Sequence, residues 1–208
     1  MNFFEADTHW WHTNIIKYCN RPFANMEEMM NSMRAAHNQV VGPNDTIYHI
    51  GDVMFGNANN PSHVQRLLDY LDSLNFKQMI IIPGSHDHEL SKMRGALAAH
   101  FNKNKSVVLL ADKLYHLRLE THFQHYQEIV LCHWAMRVWH KSHYGTLHLY
   151  GHSHGNLFDD PNSLSMDVGV DTYKLHPNHL PFAPFSMEEI QHHMSTKTFK
   201  PIDHHGRE

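Results

Sequence analysis

Residues 77–84, KQMIIIPG, carry an unbroken apolar run that Pro83 and Gly84 stop. An apolar strand with no polar alternation belongs to a sheet covered on both faces. That one requirement sets the frame for the rest of the chain. Short runs at 2–7 (NFFEAD) and 46–52 (TIYHIGD) read as further strands. Between the strands, 25–41 has helical apolar spacing, Asn25 in N-cap position and acids in its first turn. Residues 61–75 repeat the pattern, with Pro61 opening a helix and Leu67, Leu68, Leu71 and Leu74 on one face. Residues 91–100 form a weaker helix.

Beyond residue 105 the character changes. The stretches 106–112, 113–120, 128–134, 146–152 and 163–171 read as successive strands, and SMEEI at 186–190 has the Ser-x-x-Glu form of a capping box that opens a last helix. A βαβαβ half followed by a strand-rich half predicts an α/β fold in which two sheets pack face to face with helices outside. No repeat, low-complexity linker or boundary divides the chain, so residues 1–208 read as one domain, with a polar C-terminal tail from about residue 192 to 208.

Composition excludes some partners. The formal net charge is -4, which gives no general pull toward duplex nucleic acid or an anionic membrane. No apolar run approaches the roughly 20 residues needed to span a bilayer. Cys19 and Cys132 cannot build a disulfide framework and lack zinc-ribbon spacing. The N-terminus has no basic region and carries Glu5 and Asp7 early, unlike a secretory signal. A cytoplasmic location is expected.

The 23 histidines are the unusual count. Together with acids, many of them stand where the predicted strands stop: Asp7 and His9, then Gly51 and Asp52, then His86 and Asp87, then His133, then His152 and His154. Ligand sites of layered α/β folds lie at the carboxyl ends of strands, so these five tips are expected to converge. Crowded carboxylates repel one another unless a cation sits among them. Mixed imidazole and carboxylate donors suit divalent transition metals, whereas all-oxygen shells suit magnesium or calcium. On extended chain, Asp-x-His and His-x-His would each turn two side chains to one side. Six donors exceed the needs of one tetrahedral zinc and fit two ions about 3.5–4 Å apart with a carboxylate between them. Each short pattern alone is ordinary surface sequence; the ordered set is not.

The set Asp7-Thr8-His9, Gly51-Asp52, Gly84-Ser85-His86-Asp87, His133 and Gly151-His152-Ser153-His154 resembles the motif series of the calcineurin-like metallophosphoesterases, over residues 7 to 154. The flanking stretches HTNIIKYCNRPF and CHWAMRVWH are similar to the small stand-alone bacterial and phage members of that family. The resemblance implies a two-sheet sandwich in four αββα layers. It implies that Asp7, His9 and His154 hold one metal, that Asp52 bridges, and that His133 and His152 serve a second. It makes His86 the acid or phosphate stabiliser and Asp87 its orienting partner. The ions would be two divalent transition metals, manganese first, with iron, zinc or nickel as alternatives.

One position departs from the family. Where the motif has Asn, this chain has Ser85, a shorter and weaker metal ligand, so the second ion would be held more loosely, with His88 or Glu89 as candidates to compensate. Arg21, Arg137 and Asn14 are the candidate substrate-binding residues, the two arginines through bidentate phosphate contacts. Trp10, Trp11, Trp134 and Trp139 flank the motifs and are expected to wall the site rather than stack a base. The reading is a metal-dependent phosphohydrolase, a phosphodiesterase acting on a phosphoester, with nucleotide-derived esters among the candidates. Two alternatives stay open: a catalytically impaired metal-binding interaction module, and a nucleic-acid phosphodiesterase.

Overall fold

In the computed structural model, which describes residues 1–101, 105–120 and 126–202, the apolar run at 77–84 forms a strand inside a five-stranded sheet. That sheet holds β1 (Asn2–Glu5), β2 (Thr46–His49), β3 (Gln78–Ile81) and β4 (Ser106–Leu109), mutually parallel in the order β4-β3-β2-β1. A two-residue strand, Phe185–Ser186 (β9), pairs antiparallel to the free edge of β1. The second sheet orders β5 (Leu114–Glu120), β6 (Tyr126–Cys132), β7 (Leu147–Tyr150) and β8 (Ser165–Asp167), with β5 antiparallel to β6 and the last three parallel. The protein is therefore mixed α/β, with two sheets and helices.

Register explains the double-sided burial. Phe3, Ile47, Met79 and Val107 lie side by side and face the helices. Phe4, Tyr48 and Ile80 form the next row and meet Leu117, Ile129, Leu131, Leu147 and Leu149 of the second sheet. The helical layer comes from α2 (Met26–Val40), α3 (Pro61–Ser73) and α5 (Arg94–His100), with the short α1 (Ile15–Tyr18) and α4 (His88–Lys92) beside it. Asn25 caps α2 by accepting from the Glu28 amide at 2.9 Å, and Glu27 and Glu28 sit where the helix dipole favours acids. Asn60 caps α3 ahead of Pro61. Its buried stripe, Leu67, Leu68 and Leu71, is stabilised by about 1.5–3 kcal/mol per fully buried side chain.

The layers are unequal. Over β7 the second sheet is covered by the irregular segment 133–146, where the Trp139 ring lies 5.2 Å from His148 and its indole N–H donates to the Thr146 carbonyl at 2.8 Å. The remaining helix, α6 (Met187–Ser195), inserts Ile190 and Met194 into the cluster between the sheets. Its capping box, Ser186 with Glu189, is formed as the sequence predicts. Part of the expected polar tail is folded. The helix runs to Ser195, His193 meets Asp159 at 2.9 Å, and the amides of Thr198 and Lys200 donate to the carbonyls of Pro161 and Asn162. The i, i+4 pair Ile190 and Met194 draws those residues inward; the tail's residues 203–208 lie outside the described ones. Among the described residues no helix is long and apolar enough to cross a membrane.

Candidate metal centre

Pairing between β1 and β2 continues past both strands. The Ile50 amide donates to Glu5, Asp7 to Gly51, His9 to Asp52 and Trp10 to Val53, all at 2.8–3.0 Å. Residues 7–10 and 51–53 thus leave the sheet as one fixed pair. The tip of β3 joins them through glycine. A Cβ on Gly84 would lie 2.4 Å from Asp52 Oδ1, and one on Gly51, at φ +85°, would lie 2.5 Å from the Gly84 nitrogen. No side chain fits at either position.

The backbone at the ligands is not extended. Asp7, His9, Asp52, His152 and His154 have φ of 57°, 50°, 56°, 68° and 49°, five of the nine non-glycine residues with positive φ among those described. Asp-x-His and His-x-His therefore point together through repeated left-handed residues, not through strand alternation as expected from sequence. Each such residue costs about 1–3 kcal/mol, and strain of this kind concentrates at functional sites.

Two groups of donors result at these tips, beside a third formed by Cys19, His154 and Asp171. Asp7, His9 and His154 place ligand atoms within 4.8 Å of one another, and so do Asp52, His133 and His152. Asp52 reaches both: its Oδ2 lies 3.7 Å from His9 Nε2 and 3.3 Å from His133 Nε2. His133 Nδ1 sits 2.9 Å from the Ile50 carbonyl, which can only accept, so Nδ1 carries the proton and Nε2 presents its lone pair. That Nε2 and Asp7 Oδ2 are buried with no hydrogen-bond partner. Two orphaned donors for a cation, each beside further donors, are what a metal-binding site requires. The residues fit transition-metal ions; nothing in them fixes the identity or number of ions.

The electrostatics follow from burying these acids and imidazoles side by side. Burial, with Asp167 adding repulsion, pushes the Asp7 carboxyl up to about 7. Burial lowers His9 to about 3, keeping it neutral and able to coordinate. For Asp52, burial works upward, but His133 and the His86 amide outweigh it and hold the carboxyl well below its usual range. For His133, burial works downward, and Asp52 and Asp7 override it and raise the pKa.

Behind the first group lies a pair the sequence reading missed. Asp171 accepts from His154 Nδ1 at 2.7 Å and from Arg21 Nε and Nη2 at 2.9 and 2.8 Å. Arg21 also donates to the carbonyls of Asp7 and Thr8. Fixing Nδ1 leaves His154 Nε2 for a cation, the arrangement of a carboxylate behind a metal-binding histidine. Cys19 Sγ stands 3.3 Å from the same Nδ1. Burial opposes a charge on His154, yet Asp171 and Cys19 raise it to about 10. Asp171 follows β8, a sixth strand tip whose acids were visible in the sequence.

Several expectations change. Arg21 is not available to substrate: its side chain is fully buried and committed to Asp171. Asp87 does not orient His86; its buried carboxylate accepts the amides of Asp52, Val53 and Gly84 at 2.7, 2.9 and 2.7 Å, tying two strand tips together. Ser85 Oγ lies 3.1 Å from Asp52 Oδ2, where its proton serves the carboxylate. Glu89 is engaged with the Ala58 amide and Lys92, and His88 is exposed at the start of α4. His86 Nε2 lies 3.9 Å from Asp52 Oδ2, with 65% of its side chain exposed. Arg137 lines a surface groove of about 300 Å³ with Trp139, Tyr150 and Lys200, and Asn14 is exposed ahead of α1. Trp10 and Trp139 are buried, while Trp11 lies under Arg66 and Trp134 stands 6.4 Å from His152.

No protein-family model matches the chain. An uncharacterized protein of Methanocaldococcus jannaschii is 39% identical over 89 residues, 43% of this chain, and the match spans 48% of that protein's length. The crystal structure of a protein of unknown function from Aquifex aeolicus is similar over 92% of this chain and 98% of that one, with a TM-score of 0.58 and 17% identity. That likeness concerns the fold.

Proposed function

We propose that this chain is a metal-dependent phosphodiesterase of the calcineurin-like type, with its centre at the shared mouth of the two sheets. The observation that supports the reading most is the position of Asp52, one carboxylate oxygen within 3.7 Å of His9 and 3.3 Å of His133. A residue so placed can serve both donor groups. Asp7, His9 and His154 would hold one divalent cation and His133 and His152, with Asp52 shared, a second. Bound there, two cations lower the pKa of a water toward neutrality and neutralise the phosphoryl oxygens.

The chain's own residues supply the rest. Neutral His9 keeps a lone pair at any physiological pH. Asp87 holds the Asp52 and Gly84 backbone in place through three amides. His86, exposed beside Asp52, stands where an imidazole can donate to the leaving oxygen or bind a non-bridging one. Arg21 spends its donors behind Asp7, so phosphate recognition falls to the cations and to His86. The Ser85 hydroxyl turned to Asp52 favours one other reading, a centre impaired at its second ion.

The test is hydrolysis of bis(p-nitrophenyl) phosphate after chelation and reloading with manganese. Metal-dependent turnover, lost by more than about a hundredfold in Asp52→Asn, is expected, since even outer-shell partners of a metal are worth 10–100-fold. Full activity in that variant would overturn the reading. Turnover confined to Ser85→Asn would favour the impaired centre.

A further inference from the structure

His12 stands three residues beyond His9 and Phe55 three beyond Asp52, so both ride on the paired segments that leave β1 and β2. The His12 ring is 5.6 Å from the His9 ring. It lies nearly parallel to Phe55, at 5.2 Å and 20°, and edge-on to Tyr18 at 6.1 Å. Phe55 is 62% exposed and Tyr18 70%. A single exposed aromatic side chain is ordinary. Here two flank one imidazole that itself touches a candidate ligand, at the side of the centre where His86 also opens to solvent. Adjacent aromatic rings left in water beside a candidate metal centre mark a surface that a ligand can cover.

The geometry points to Phe55, Tyr18 and His12 as a stacking platform for the base of a nucleotide ester whose phosphorus lies over Asp52. This deepens the phosphodiesterase reading and rests on it. The face of a nucleobase stacks on aromatic side chains whatever its hydrogen-bonding edge, so the platform selects nucleotides as a class and not one base. The walling tryptophans take no part: Trp10 is buried in the core, and the half-buried Trp11 packs against Tyr70 and Arg66.

The experiment compares AMP with ribose 5-phosphate, which carries the same phosphate without the base, by calorimetric titration of the manganese-loaded protein. Base stacking contributes about 1–3 kcal/mol, so AMP should bind roughly 5–150-fold more tightly. Phe55→Ala with Tyr18→Ala should bring that ratio to near one while ribose 5-phosphate affinity and manganese content stay unchanged. Equal affinities in the unaltered protein, or a ratio the double variant leaves intact, would overturn the platform and leave the metal centre standing. Failure of both ligands to bind would overturn the platform even where a phosphodiester is turned over; with no turnover of any phosphodiester, the phosphodiesterase reading falls as well.

Discussion

Replacing Asp7 with Asn should stabilise the metal-free protein, in a pH-dependent way. Asp7 is fully buried, its Oδ2 has no partner, and Asp167 adds repulsion. Its pKa rises from 3.8 to about 7 on folding. A raised acid binds more protons in the native than in the unfolded state, so stability falls as pH climbs from about 4 to 7 and stays low above. At 1.36 kcal/mol per unit the full loss is roughly 4 kcal/mol. Asn is isosteric with the neutral acid and can still accept the His152 amide that Asp7 Oδ1 accepts at 3.0 Å. In chelator, urea unfolding of Asp7→Asn and the parent should agree near pH 4 and diverge to roughly 4 kcal/mol in favour of Asn at pH 8. That is about 8–16 °C in Tm for a chain this size. Saturating manganese should reverse the order, because each ion at a thousandfold over its Kd adds about 4 kcal/mol to the protein that binds it. A variant no more stable than the parent in chelator at pH 8 would show that the carboxylate has a native partner other than a cation, and the reasoning would fail.

Other perturbations separate the roles assigned to individual residues. Arg21→Ala strips Asp171 of its guanidinium partner and leaves only His154 Nδ1 on the buried carboxylate, and should lower stability by about 3 kcal/mol in thermal melts; an unchanged Tm with only a raised KM would return Arg21 to substrate binding. Asp87→Asn loses charge-assisted acceptance of three amides, so melting and metal content should suffer while the pH profile of turnover keeps its shape, which a partner of His86 would shift. Since the extra proton on His154, with its pKa of about 10, must leave before coordination, manganese affinity should rise by about tenfold per pH unit above neutrality, with proton release seen calorimetrically. Affinity independent of pH would remove His154 from the ligand set. Ser85→Asn should tighten the second ion by roughly tenfold in competition with a chelator, and no change would show that position 85 does not reach a metal.

The strands β1 to β8 and the helices α2 and α3 could be read from the chain because apolar periodicity, caps and stop signals are local. The donors at the strand ends could be read for the same reason: residue type and position along a strand need no partner to be visible. The left-handed turns at Asp7, His9, His152 and His154 were hidden, because nothing in Asp-x-His distinguishes pleated from coiled backbone. Arg21 was misread since its partner, Asp171, stands 150 positions away and packing alone joins them. Asp87 shows the same limit, as an acid beside a histidine looks like its partner until the amides of Asp52, Val53 and Gly84 prove closer. The edge strand β9, two residues long, carries no periodicity to detect.

Anomalous diffraction from crystals of the manganese-loaded protein, recorded on both sides of the metal edge, would locate the ions themselves. Two peaks about 3.5–4 Å apart, one beside Asp7, His9 and His154, the other beside His133 and His152, with the Asp52 carboxylate between them, are predicted. A protein that is folded and fully loaded, yet shows no peak at Asp52 or a single ion that ignores one of the two groups, would contradict the two-ion centre.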